Sequence, residues 1–328
     1  MITPADDTMI MPKSAALSFQ YEGQLICNVP LFLLVHLAKN KPVTAEYSDL
    51  FNTLIIAPEL IDDTEYYRNK CVELFLSVIS WEVLEPYIAC PPFLKTGIKC
   101  LWTANTSESG PFRFALQFIE LPRILFRYMS FNEEYIRNLL MDGKLFMPCP
   151  AMFNDPFDCS LDESIRLTFI ESAIGCFSTV PDSVLMFSHY ADNHRGICVG
   201  FDAQLLAQSL GIKNHPWTAS IRPVWYLAKM PSLNLKTHPA LCASCKDDIW
   251  CYEREFRIFM NKGSSLKPSG LFEYDRTAVS EIIYGCKTSD ETVALCKSWV
   301  GDLSSVKHQK ATQLPNQFGV HLHAIHKI

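Results

Sequence analysis

The sequence predicts an α+β fold: a strand-rich C-terminal domain preceded by an acidic, mostly helical N-terminal domain. The chain has 328 residues, which exceeds the usual domain size of about 150. Residues 1–120 contain 8 Lys and Arg against 14 Asp and Glu, whereas residues 121–328 contain 21 of each. We therefore predict two domains, 1–120 and 121–328.

Residues 1–120 are predicted to be mostly helical because apolar residues recur there at three- and four-residue steps. This spacing is found in Tyr47–Leu54 and in Asp63–Val83, and it places the apolar side chains on one helix face. Pro86 ends the second pattern. The turn-forming segment Thr106–Pro111 is the expected junction between the domains.

Residues 121–328 are predicted to alternate short strands with helices, giving a mixed α+β domain. Ser130 and Glu133 have the spacing of a capping box and predict a helix over Asn132–Met141. Further helices are expected over Ser183–Tyr190, from Asp202 and over Glu291–Val300. The expected strands are Ile124–Met129, Lys144–Met147, Ile174–Ser178, Gly196–Phe201, Pro223–Tyr226, Glu253–Met260, Val279–Tyr284 and Phe318–His326.

Composition limits the partners and the compartment. Hydrophobic residues make up 48% and charged residues 20% of the chain, which is typical of a globular protein. The net charge of -6 argues against a protein whose affinity comes mainly from coating nucleic acid with positive charge. No apolar run reaches the roughly 20 residues of a membrane-spanning helix. The 13 irregularly spaced cysteines indicate reduced thiols and hence a cytoplasmic protein without membrane contact.

Four polar segments lie among apolar residues and are the candidate site. They are Arg127-Tyr128, Asn154–Asp158, Ser188–Gly196 and Trp250–Arg257. Side chains alternate along a strand, so Glu253, Glu255 and Arg257 are predicted to share one face. Such a face could hold a ribose hydroxyl and stabilise an oxocarbenium-like centre, or it could simply form Glu–Arg pairs in solvent.

The histidine and aspartate segments leave alternatives open. His189 and His194, with Tyr190 beside them, could bind a ligand, supply a general base or ligate a metal, or the segment could order a turn. Asn154, Asp155 and Asp158 could lock a loop through Asx turns. Alternatively, these aspartates meet Glu253 and Glu255 and bind a divalent metal, as in a nuclease. The single Cys-x-x-Cys at 242–245 lacks the second pair of a zinc site, so we predict no structural zinc.

The order of four motifs resembles a known family. FNDPFD, CFS, SHYADNHRG and WCYEREFR follow one another over Ile124–Val300. This order is similar to that of the bacterial family of unknown function numbered twenty-nine seventy-one. The resemblance covers only the second part of the chain and implies no activity.

A second resemblance is to the ADP-ribosyltransferase-like fold. Arg127 on a strand, the helix after it, Gly143-Lys144-Leu145 and Glu253-Arg254-Glu255 follow the order of that fold. It implies NAD as cofactor and a protein or nucleic-acid acceptor, in a defence or toxin role. The alternatives are the metal-dependent nuclease and a non-catalytic ligand-sensing or interaction module.

The ADP-ribosyltransferase resemblance also implies roles for individual residues. Glu255 is expected to bind a ribose hydroxyl as the bond to nicotinamide breaks, with Glu253 in support. His189 and Tyr190 are expected to line the nicotinamide pocket, and Arg127 to contact the ribose or a phosphate. The remaining residues expected at the cofactor are Tyr128, Asn154, Asp155, Ser188 and Arg257.

Overall fold

The computed structural model describes residues 15–21, 24–30, 65–78, 96–106, 110–119, 121–159, 171–227, 243–262 and 265–325. Within these ranges, no helix combines the length and the apolar character needed to cross a membrane. The predicted helix over Tyr47–Leu54 lies outside the described residues.

The described part of residues 1–120 contains four strands and one helix, so it does not support a mostly helical N-terminal domain. Its elements are β1 Ala15–Tyr21, β2 Gln24–Pro30, α1 Glu65–Val78, β3 Thr96–Thr106 and β4 Gly110–Ile119. The strands form an antiparallel sheet of order β2-β1-β4-β3. The sequence of β4 alternates Phe112, Phe114 and Leu116 with less apolar residues, the two-residue period of a strand.

The segment Thr106–Pro111 was wrongly predicted to be a domain junction. Strands β3 and β4 pair up to Thr106 and Gly110, so the segment connects two neighbouring strands of one hairpin. Turn-forming residues are typical of both hairpin connections and linkers, and only the pairing distinguishes the two.

Beyond Glu120 the chain is a mixture of helices and strands, which confirms the α+β class. Its helices are α2 Glu133–Leu140, α3 Val184–Tyr190, α4 Ala203–Lys213 and α5 Asp290–Trp299. Its strands are β5 Ile124–Met129, β6 Lys144–Met147, β7 Ile174–Ser178, β8 Ile197–Asp202, β9 Thr218–Pro223, β10 Trp225–Leu227, β11 Cys245–Asp247, β12 Glu255–Lys262, β13 Ser265–Leu266, β14 Gly270–Glu273, β15 Val279–Tyr284, β16 Lys307–Gln313 and β17 Val320–Ala324.

One nine-stranded sheet organises this region. Its order is β13-β12-β7-β5-β8-β15-β16-β17, with β9 also paired to β12. Strand β5 pairs with β8 along its whole length, but it pairs with β7 only at Phe126 and Ser178. The sheet therefore opens beyond that pair.

Two helices begin directly after residues whose side chains cap the first turn. The cap of α2 is Asn132, whose side chain accepts a hydrogen bond from the Tyr135 amide at 3.1 Å, and not Ser130 as the capping-box spacing predicted. Asparagine caps as well as serine does, so the residue nearer to the first helical turn takes this role. Ser183 caps α3 in the same way, through the Met186 amide.

Apolar packing fixes the helices on the sheet. A small cluster beneath α3 contains Phe126, Tyr128, Phe187, Cys198 and Ile283, all buried. It ties α3 to strands β5, β8 and β15. The main cluster includes residues from β8, β12 and β15 together with Cys71 and Leu74 of α1. Helix α1 thus contributes to the same core as the large sheet.

The turn after α3 depends on a close backbone approach. Asp192, Asn193 and His194 have positive φ angles of 45°, 51° and 71°, the left-handed region that L-residues rarely adopt. The Gly196 amide then donates to the Ala191 carbonyl at 2.8 Å. A Cβ on Gly196 would lie 2.2 Å from the Met129 carbonyl oxygen, so this position excludes a side chain.

Gly196→Ala is expected to lower the free energy of unfolding by about 2 kcal/mol or more, on the scale of overpacking, because a backbone atom of β5 must move. The matched control is Gly211→Ala in α4, where the nearest atom is 3.7 Å from the added Cβ. That change should be neutral or stabilise the protein by up to about 1 kcal/mol through helix propensity. Urea unfolding measures both, and equal effects would contradict this account.

Candidate functional site

A cleft of about 330 Å³ lies where β5 and β7 diverge. Its lining includes Arg127 and Tyr128 of β5, which follow Phe126 in the chain. It also includes Cys176 and Phe177 of β7, which precede Ser178, the antiparallel partner of Phe126. The cleft exists because the strands do not continue to pair there. Its remaining lining residues are Pro148, Met152, Phe153, Asn154, Asp158, Met186, His189, Tyr190, Lys246, Glu253 and Glu255, together with Phe126 and Ser178.

The cleft brings together residues that the sequence placed in four separate segments. Arg127, His189, Tyr190 and Glu255 all belong to its lining, as do Glu253 and Asn154. Nothing in the sequence spacing requires this, since the residues come from β5, α3, β12 and two connecting segments. Their convergence makes the cleft the candidate functional site.

Arg127 brings an unsatisfied donor to the cleft. Its Nη1 is buried and has no hydrogen-bond partner among the described residues, while its guanidinium carbon lies 5.8 Å from the centre of the Phe177 ring. Burial lowers the pKa of Arg127 below its usual value. Buried donors in folded proteins are nearly always paired, so this guanidinium is a ready partner for an anion or another acceptor.

Arg257 is fully buried and serves a different purpose. Its Nη1 and Nη2 donate to the two oxygens of Asp158 at 2.9 and 2.6 Å, and its Nε donates to Glu255 at 2.8 Å. Nη1 also donates to the Ala243 carbonyl at 2.6 Å. Arg257 does not line the cleft. It therefore holds the carboxylates from behind, whereas the sequence predicted that it contacts the cofactor.

Lys246 lies at the centre of the acidic residues and was missed by the sequence analysis. Its Nζ is 2.6 Å from Glu253 and 3.5 Å from both Asp158 and Glu255. Burial disfavours the ammonium, but these carboxylates outweigh burial and raise the pKa of Lys246. A lysine on a three-residue strand produces no periodic pattern in the sequence. Its contacts with three acids become visible only in the three-dimensional structure.

Glu253 and Glu255 do not share a strand face as predicted. Glu253 is the last residue of a 3-10 helix that starts at Asp248. Arg254 follows with a φ angle of 46°, and β12 begins only at Glu255. This left-handed step turns the chain, so both carboxylates reach Lys246 while Arg254 stays exposed.

The two carboxylates have different pKa values because their environments differ. Burial and the neighbouring Glu255 raise the pKa of Glu253 to about 6, against the opposing effects of Lys246 and Tyr190. Burial also disfavours charge on Glu255, but Arg257 and Lys246 outweigh it and lower the pKa of Glu255 to about 2. Such a separation is typical of paired carboxylates that divide acid–base and charge-stabilising roles.

Tyr190 links Glu253 to the open side of the cleft. Its hydroxyl donates to Glu253 Oε1 at 2.5 Å and accepts a long hydrogen bond of 3.4 Å from Asn154 Nδ2. His189 is exposed at the mouth, with its Nδ1 3.0 Å from the Tyr252 hydroxyl. The sequence prediction that Asn154, His189 and Tyr190 lie at one site agrees with this placement, and their roles stay predictions.

Two predicted site residues, Ser188 and Asp155, are absent from the cleft lining. Ser188 Oγ lies 3.0 Å from His194 Nε2 and helps to order the turn after α3. Asp155 accepts a hydrogen bond from the Phe157 amide at 2.9 Å, an Asx turn that shapes its own loop.

Tyr128 lines the cleft with its ring, but its hydroxyl is already engaged. The hydroxyl donates to the Val180 carbonyl at 2.7 Å and accepts from the Ser183 amide at 3.2 Å. These bonds anchor the start of α3, so the predicted cofactor-binding role is limited to the ring.

Two cationic side chains lie between the acids, in the place where a metal-dependent nuclease would hold its metal ion. Lys246 and Arg257 together contact Asp158, Glu253 and Glu255. In the described part of the chain, no group of three or more His, Cys, Asp and Glu residues could hold a metal ion. Cys242 of the Cys-x-x-Cys pair lies outside the described residues.

Comparison with family models, with curated proteins and with solved structures finds no match to this chain. The resemblances to the family numbered twenty-nine seventy-one and to the ADP-ribosyltransferase-like fold therefore stay predictions from the sequence.

Arg257→Met is expected to lower the free energy of unfolding by about 3–5 kcal/mol, because it leaves Asp158 and Glu255 buried without their main counter-charge. The matched control is Arg195→Met, which removes an exposed arginine 3.9 Å from Asp192 and should change stability by about 0.5 kcal/mol or less. Urea unfolding of both variants at neutral pH provides the measurement. A small loss for Arg257→Met would show that the ion pairs contribute little.

The raised pKa of Glu253 predicts a dependence of stability on pH. The folded state holds this proton up to about pH 6, whereas the unfolded chain releases it near pH 4.3. The contribution of Glu253 is therefore fully present below about pH 4.3 and is lost as the pH rises through 6. Over this window, the stability of wild type should fall relative to Glu253→Gln by about 2 kcal/mol.

Unfolding at several pH values between 4 and 7 tests this dependence. Glu134→Gln, on the exposed face of α2, is the control and should follow the wild-type profile. Parallel profiles for wild type and Glu253→Gln would contradict the assignment.

Proposed function

We propose that the cleft binds NAD and transfers or hydrolyses its ADP-ribosyl group, in the manner of an ADP-ribosyltransferase-like enzyme. One observation carries the proposal: Arg127, whose Nη1 lacks a partner among the described residues, lines the same cleft as two carboxylates with different pKa values, Glu253 and Glu255. An anion-binding group beside such a pair suits cleavage of a glycosidic bond in a phosphorylated substrate.

The residues present suit NAD. A diphosphate or ribose oxygen would satisfy Arg127 Nη1, which has no partner in the part of the chain that the structure describes. The cavity of about 330 Å³ is at the lower end of the range for ligand pockets. We therefore expect part of the dinucleotide to lie inside and the rest to extend over the mouth, beside His189 and Tyr190.

NAD supplies a glycosidic bond to a positively charged ring. Glu255, kept ionised by Arg257 and Lys246, provides fixed negative charge where positive charge increases on the sugar, and preorganised charge of this kind is a large contribution to catalysis. Glu253 takes up the proton that an acceptor hydroxyl or water must lose, through the hydroxyl of Tyr190. The side chains of His189 and Tyr190 form the mouth.

The acceptor class is a protein, a nucleic acid or water, and the biological setting would be defence or toxicity. The nuclease alternative has less support because Lys246 and Arg257 occupy the space between the acids. A ligand-sensing module would bind NAD without consuming it, so binding and turnover need separate measurements.

The test is calorimetric titration of NAD together with a nicotinamide-release assay on folded protein. Arg127→Met should weaken NAD binding by about tenfold or more, the scale of a lost hydrogen bond to a charged group. Glu253→Gln should reduce nicotinamide release by about 10²-fold, the scale of general acid–base catalysis, with little change in NAD affinity. Glu134→Gln is the control for both assays.

Three outcomes separate the candidates. Absence of NAD binding by wild-type protein would remove the basis of the proposal. Binding without nicotinamide release would favour the ligand-sensing module. Full turnover in Glu253→Gln would contradict the role of that carboxylate while leaving NAD as the ligand.

A further inference from the structure

We propose that Lys246 is the positioning residue of this cleft: its ammonium joins three carboxylates and keeps Glu253 ionised at neutral pH, so that Glu253 can accept a proton. The catalytic meaning of this inference rests on the proposed function. The electrostatic arrangement itself does not, and it can be tested without any ligand.

The two buried cations serve the acids unequally. Arg257 contacts both oxygens of Asp158 at 2.9 and 2.6 Å, and both oxygens of Glu255 at 2.8 and 3.1 Å. Lys246 makes its one short contact, 2.6 Å, to Glu253 and stays 3.5 Å from the other two acids. Glu253 therefore depends on Lys246 for its counter-charge.

The cluster has three carboxylates and two cations, so one negative charge is left over. Glu253 is the least compensated of these acids, because it contacts one cation, whereas Asp158 and Glu255 each contact both. Glu253 is also the acid whose second oxygen faces the Tyr190 hydroxyl. The carboxylate with the weakest compensation is thus the one connected to the open side of the cleft.

Every element packed around Glu253 contributes to this balance. Asp158 lies in the segment between β6 and β7, and Tyr190 lies on α3. Lys246 belongs to β11, and Glu255 and Arg257 belong to β12. Tyr252 adjoins Glu253, and Tyr226 of β10 accepts a hydrogen bond from the Glu255 amide at 2.9 Å. Lys246 and Arg257 are the cations in this set, and Arg257 is already committed to the other two acids.

Loss of the ammonium should leave Glu253 protonated at neutral pH. Three acids would then share one guanidinium, and repulsion from Glu255 would act on Glu253 without opposition. A protonated Glu253 cannot accept a proton through Tyr190. Lys246 is thereby connected to the reaction through Glu253, although it need not touch the substrate.

The first experiment titrates Glu253 directly by carboxyl carbon NMR in glutamate-labelled protein, with the signal assigned from Glu253→Gln. The wild-type midpoint should lie near 6. In Lys246→Met it should rise by at least about one unit, a tenfold higher proton affinity, whereas Lys246→Arg should stay close to wild type. Lys262→Met, at the exposed end of β12, is the control. An unchanged midpoint in folded Lys246→Met would overturn the proposal.

A second experiment covers the case in which Lys246→Met folds but is too unstable for the titration. Replacement of both partners, in Lys246→Met/Glu253→Gln, removes one negative charge together with the positive one. The double variant should therefore regain at least half of the fall in unfolding temperature shown by Lys246→Met. A double variant no more stable than the single one, or a single variant as stable as wild type, would overturn the proposal.

These readouts distinguish the inference from the proposed function. Both measurements use the protein without NAD, so they can succeed even when no NAD binds. Conversely, NAD turnover with a Glu253 midpoint indifferent to Lys246 would support the enzyme and reject this role of the lysine. Where NAD is consumed, the lower limb of the pH profile should move upward in Lys246→Met and stay in place in Lys246→Arg.

Discussion

The buried guanidinium of Arg257 is the interaction on which the architecture of the cleft depends. It joins β12 to the loop that carries Asp158 and to the Ala243 carbonyl just before β11. A charge with no exposure to water is stable only when its donors are paired and its counter-charge is close. Those partners come from segments far apart in the sequence. The hydrogen bonds of one side chain therefore hold three segments of the chain in place around the cleft.

Arg257 and Arg127 show the same residue type in two different environments. Arg257 has two carboxylates and a carbonyl oxygen, and it lies behind the cleft surface. Arg127 extends from the strand that stops pairing with β7, and its Nη1 has no acceptor within the described ranges. A satisfied buried cation holds elements together, whereas an unsatisfied donor beside a cavity is free to bond an acceptor from outside the protein.

Much of the large sheet could be predicted from local sequence. Its strands Ile124–Met129, Ile174–Ser178 and Val279–Tyr284 have the predicted bounds, because short apolar runs between turn residues carry a strong signal. The same holds for Lys144–Met147, which pairs with β14 in a separate two-stranded sheet. The four-stranded N-terminal sheet was missed, although the alternation in β4 was visible in its sequence.

The candidate site was only partly predictable, for a physical reason. The occurrence of polar residues within apolar segments identified Arg127, Asn154, Tyr190, Glu253 and Glu255. It did not show which side chains these residues contact. Lys246 acquires its significance from contacts between distant segments, which no local pattern encodes. The strand alternation applied to Glu253 failed because a left-handed residue, Arg254, interrupts the strand before Glu255.

The order of strands in the large sheet has a consequence for synthesis. Strand β5 leaves the ribosome well before its partner β8, since Ile124 pairs with Asp202, and β7 must wait for β12, since Ser178 pairs with Glu255. Pairing between such distant segments closes long loops and is slow compared with local hairpins. Strands β5 and β7 therefore keep open edges on the nascent chain, and the cleft between them is complete only after residue 257 has emerged.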